Sequence, residues 1–142
     1  MFQLYSGHPR VEWYPKKAST AIAVGDLLYA DGSGAVQPAD STSGDHIGIC
    51  MKAIASTDSD YASTTSIPVL VPTDDTLFKV DVDTGTALTT AMVGSRYDLT
   101  DANSLNVGGT SKKVVTIVKY ISATKAVVKI NSTIANADVA TT

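Results

Sequence analysis

Cysteine is nearly absent: Cys50 is the only one in 142 residues. No intramolecular disulfide can form, so the fold is not expected to depend on an oxidising compartment. Cys50 lies between Ile49 and Met51 in an apolar run and reads as a small buried apolar residue. Histidine is scarce too. His8 and His46, with one cysteine, cannot build a zinc site of standard spacing, and both read as packing or surface residues. No run approaches the ~20 apolar residues that span a bilayer. The start, MFQLYSGHPRVEW, lacks the apolar core of a secretory signal, so a soluble protein made in a cytosol is expected, without a membrane partner. Positive charge is in deficit: the net charge is −3 and the pI about 5.1. That balance argues against a general nucleic-acid binder, although a local basic patch is compatible with it.

Catalytic signals are missing as well. There is no G-x-S-x-G elbow, and the serines sit mainly in Ser/Thr-rich loops. Gly32-Ser33-Gly34 lacks the third glycine, the lysine and the following helix of a phosphate-cradling loop. Asp81-Val82-Asp83-Thr84-Gly85 echoes the start of a calcium loop but lacks the later acid, so the paired aspartates read as solvated turn residues. The expectation is a protein that is not an enzyme and has no catalytic residues, no metal and no cofactor.

What is present is β-forming. Hydrophobic residues are 44% and charged residues 18%, a globular composition, and the length suits one domain. Strands are expected at 20–24 (with Ile22 and Val24 on one face), 27–30, 35–38, 47–55, 67–71, 77–82, 96–99, 114–121 and 126–130. Asp31-Gly32-Ser33-Gly34 reads as a hairpin turn, and Pro38 confines its strand to an edge or an end. Residues 47–55, apolar on both faces, read as a central strand. Residues 56–65 and 101–111 read as loops, and 84–93 as the one place for a short helix or helical turn. About eight short strands at regular spacing predict an all-β fold, a small β-barrel or β-sandwich.

Residues 1–17 differ in composition. Phe2, Tyr5, Trp13 and Tyr14 are four of the nine aromatics in the chain, and Arg10, Lys16 and Lys17 face a single acid, Glu12. Pro9 and Pro15 forbid a continuous helix. The segment reads as an extended arm ahead of a body at 18–130 and a small, polar tail at 131–142. Two readings of the arm stand: a first strand packed on its own core, or an arm gripping another subunit through those seven residues.

The order Ala21-Ile22-Ala23-Val24-Gly25-Asp26-Leu27-Leu28, then Asp31-Gly32 and the Gly48-Ile49 strand, resembles the head decoration, or cement, proteins of tailed bacteriophages. So does the later run from Gly94 to Ala102 with the terminal hairpin from Ser122 to Ile130. The resemblance covers most of residues 18–130. It implies a body that sits on the outer surface of the assembled virion capsid, often as a homotrimer. There it would bridge copies of the major capsid protein and resist internal pressure. On that reading, a chain without residues 1–16 should still fold but no longer bind the capsid. Competing readings are another virion part (a head-fibre base or tail protein), a carbohydrate- or host-binding β module, and a small hydrolase.

Overall fold

A computed structural model of the chain describes residues 1–131, and it is all-β. The described residues form eleven strands: β1 (Gln3–Ser6), β2 (Arg10–Pro15), β3 (Leu27–Ala30), β4 (Val36–Pro38), β5 (His46–Cys50), β6 (Ser66–Val71), β7 (Leu77–Val82), β8 (Arg96–Asp101), β9 (Ser104–Asn106), β10 (Val115–Ser122) and β11 (Lys125–Ile130). The first sheet runs β1-β7-β11-β10-β8-β9, and a parallel β7–β9 pairing closes its last five strands into a barrel. Its interior follows from strict alternation. Phe78, Val80 and Val82 of β7 point inward to meet Val115, Ile117, Val128 and Leu105. Lys79 and Asp81 alternate with them on the other face of β7.

The second sheet runs β2-β6-β5-β3-β4, and β5 is central, as its apolar character predicts. It curls around a second core built from Ile47, Leu28, Val36, Cys50, Ile67 and Val69. A parallel bridge between Lys16 and Val36 then ties its two outer strands together at one end. The β3–β4 hairpin has its expected glycine turn, with Gly32 and Gly34 at positive φ, and Pro38 lies on the edge strand.

Several expectations are corrected. Residues 20–24 form no strand: Ile22 makes one isolated bridge to Ile54 and is buried, while Val24 is exposed. The strand expected to 55 stops at Cys50. Only Thr90–Met92, a single 3-10 turn, forms within 84–93. β9 lies inside a stretch read as loop.

The amino-terminal segment is woven into both sheets. β1 pairs with β7 and shares that edge with β9, while β2 pairs with β6 over six residues. Between them, Gly7 at φ +103 passes against the Asp75–Thr76 backbone, where a Cβ would collide. Of the expected tail, Asn131 is tied down by bonds to the Val114 and Lys113 carbonyls. The rest of that tail lies outside the described residues.

Candidate interaction surface

The amino-terminal strands put the sequence-predicted contact residues in three environments. Phe2 and Lys16 are interior, which corrects their assignment as outward anchors. Phe2, just ahead of β1, packs edge-to-face on Phe78 in the barrel core, ring centres 6.2 Å apart, and its N–H donates to the Gly25 carbonyl. Lys16 has no exposed surface. Its ammonium donates to the carbonyls of Lys17 (2.9 Å), Tyr61 (2.7 Å) and Ser63 (3.0 Å) and lies 5.6 Å from the centre of the Tyr61 ring. Tyr14 is half-buried against the second core.

Tyr5, Arg10, Trp13 and Lys17 remain exposed. The Tyr5 hydroxyl lies 3.4 Å from the Lys119 ammonium, and Arg10 pairs with Glu12 at 3.2 Å on the same face of β2. Trp13 is 65% exposed, the most open large apolar side chain of the described residues. Directly opposite residues on antiparallel strands share a face, so Trp13 stands beside Pro68 and Val11 beside Leu70, which is itself paired with Ile49.

Leu70 and Ile49 also floor a groove of about 300 Å³ at the junction of the two sheets. Its rim is Met1, Leu4, Val24 and Met51, each substantially exposed. Val11 and Trp13 extend the same apolar face along β2. The result is one surface running from the groove to the sheet edge, and such surfaces mark interaction sites.

A second feature escaped the sequence reading. The Ser43 hydroxyl lies 3.2 Å from His46 Nε2, beside a hollow of about 170 Å³ lined by Asp45, Lys112, Lys113 and Asn131. A hydroxyl–imidazole contact is the start of a nucleophile–base pair. Here, however, the hydroxyl is engaged in the Asp40 turn, accepting from its N–H and contacting its carbonyl, each at 3.1 Å. Both side chains are buried, and burial pushes the His46 pKa down. The geometry is that of a turn lock. Nearby Asp98 organises the other wall: it accepts N–H bonds from Ser111, Lys112 and Lys113 at 2.7–3.0 Å. Burial would raise its pKa, but those three donors outweigh it and hold the carboxyl low.

Among the described residues, no cluster of three or more His, Cys, Asp or Glu is placed to hold a metal ion, and no helix is long and apolar enough to cross a membrane. The molecule is thus an all-β barrel protein bearing an apolar, tryptophan-edged surface. No protein-family model and no curated protein matches the chain.

Proposed function

We propose that this protein is a structural subunit coating the outside of a tailed-bacteriophage head, where it bridges copies of the major capsid protein and stabilises the shell. It works without catalysis or cofactor, and homotrimeric assembly belongs to the same reading. The observation that carries it is the groove rimmed by Met1, Leu4, Val24 and Met51 and continued by Val11 and Trp13, an apolar face left open on a well-packed body. The resemblance of residues 18–130 to head decoration proteins supplies the partner. Burying an apolar face at many repeated lattice points gives slow dissociation through multivalency.

The capsid contact is the groove, in place of the free arm that composition alone implied, because β1 and β2 are paired strands. Gel densitometry of purified virions tests the proposal. Hundreds of copies in a simple ratio to the major capsid protein are expected; a handful or none would overturn it. A second reading, a carbohydrate-binding module, is favoured by the exposed Trp13, since sugar faces stack on open aromatic rings. A thermal-shift screen with oligosaccharides separates the two, because the capsid reading predicts no shift.

A further inference from the structure

We propose that β2 pairs with β2 of a second copy of this chain, antiparallel and in the register centred on Val11. The inference goes beyond the capsid reading and does not depend on it: a two-fold pair through β2 is a contact separate from any three-fold assembly.

β2 is an outer strand of its sheet. Which of its backbone groups face outward follows from one residue of its neighbour. Trp13 lies opposite Pro68, which has no N–H, so this cannot be a pair that exchanges two hydrogen bonds. The Pro68 carbonyl instead accepts from the Met51 N–H on the far side of β6. Arg10, Glu12 and Tyr14 therefore direct their N–H and carbonyl groups at β6, and the Lys16 N–H continues the pattern to the Thr65 carbonyl. Pro9, Val11 and Trp13 direct theirs at the open edge.

The available stretch is bounded. Beyond Pro15 the edge is taken: Lys16 bridges Val36, and the Lys17 N–H donates to the Val36 carbonyl. What remains is Pro9–Trp13, whose middle residue is Val11. A two-fold axis through Val11 gives reciprocal Val11–Val11 bonds and a Trp13 N–H bond to the Pro9 carbonyl of the other copy, made twice. The side chains agree with that register. Arg10 falls opposite Glu12 of the second copy and Glu12 opposite its Arg10, so the intrachain pair becomes a four-charge ring. Trp13 falls over the Pro9 ring. Shifting the axis to Glu12 sets two carboxylates face to face, and shifting it to Trp13 runs the strand into the segment bridged to β4. Edge strands are commonly guarded by charge, proline or bulges; the prolines of β2 stand at its ends, Pro9 and Pro15, and leave the Val11 and Trp13 N–H groups between them. Here the charges alternate and attract a second copy.

Cysteine scanning tests the register. Opposed residues in a hydrogen-bonded pair have Cα atoms about 5.5 Å apart, within disulfide range, so Val11→Cys should cross-link to a covalent dimer under mild oxidation. Trp13→Cys should not, because the two copies of residue 13 would be about 13 Å apart along the strands. Sedimentation tests the charges. Arg10→Glu or Glu12→Arg alone should weaken self-association by about tenfold, and the double exchange should restore it. Circular dichroism of each variant checks that the fold is intact. Absence of self-association in the wild type, cross-linking of Trp13→Cys in preference to Val11→Cys, or insensitivity to the single charge changes would each overturn the proposal.

Discussion

Lys16 distinguishes an arm from a woven strand most sharply, and Lys16→Met is the perturbation of choice. The substitution keeps an unbranched apolar chain of similar length and removes only the ammonium. In the native protein that ammonium has three N–H donors and three carbonyl acceptors, at 2.7, 2.9 and 3.0 Å, so its hydrogen-bonding capacity is filled. Among the described residues no carboxylate pairs with it, and three backbone carbonyls and the Tyr61 ring hold the charge. Hydrogen bonds to a charged group contribute about 1.5–3 kcal/mol each. Relief of ammonium desolvation offsets part of the loss, and water can reach part of the exposed carbonyls. A net cost of about 2–4 kcal/mol results. A domain of this size is stabilised by roughly 7–15 kcal/mol, so the variant should fold but unfold at clearly lower urea. The loop spanning Tyr61 and Ser63 should also exchange its amide protons faster, since Lys16 fastens it to the end of β2. Urea unfolding followed by circular dichroism measures the first effect, and hydrogen exchange the second. A stability change under about 0.5 kcal/mol, the usual result for an exposed lysine, would refute the buried-clamp account.

Phe2→Ala should cost about 3–5 kcal/mol by emptying a core site against Phe78, and a chain lacking residues 1–16 should fail to fold, because it loses both β1 and β2; a folded truncation by circular dichroism would contradict this. Burial raises the Cys50 thiol to about 11, so it should resist alkylation at pH 8 in the native state and react on unfolding; rapid native labelling would be the contrary result. Stability should fall in two stages on acidification. Burial depresses the folded-state pKa of His46 below 6.5, so the unfolded chain takes up its proton first and stability declines as pH drops below that value; melting curves of His46→Gln should lack most of this stage. The second stage lies below about pH 4, where the low-lying carboxyls of Asp75, Asp81 and Asp98, held down mainly by hydrogen bonds from partners such as Thr73, Lys125 and the 111–113 backbone, become protonated in the unfolded chain before the folded one.

Much of the body was legible because β-structure writes a period of two into the chain. The alternation of Phe78, Val80 and Val82, the terminal hairpin, and the turn glycines at 32 and 34 all state local geometry directly. The failures share a cause, which is that the deciding partner lies far away in sequence. Thr20 to Val24 alternates as a strand should, yet only Ile22 finds a neighbour, at Ile54, so the pattern never becomes a ladder. β9 is three residues between turn formers, and it exists because β7 and β8 leave it a slot between them. Ser43 and His46 are three positions apart, but their contact depends on how the Asp40 turn folds.

The amino-terminal segment shows the limit most clearly. Its aromatic and basic composition looks like an adhesive arm, and composition is blind to register. The signal that could have corrected it was present: Phe2-Gln3-Leu4 and Val11-Glu12-Trp13 both alternate, as strands do. Phe2 and Leu4, two apart, share a face, with Phe2 deep against the barrel core and Leu4 farther out on the groove rim, while Val11 and Trp13 share one face of β2 with Arg10 and Glu12 on the other. Lys16 left no such trace. Its acceptors are backbone carbonyls, two of them 45 and 47 residues away, and carbonyls carry no sequence information. A segment can therefore be adhesive and structural at once: one edge of each strand completes the body through its ladder to β7 or β6, and the exposed side chains, with the open edge of β2, are what remains for a partner.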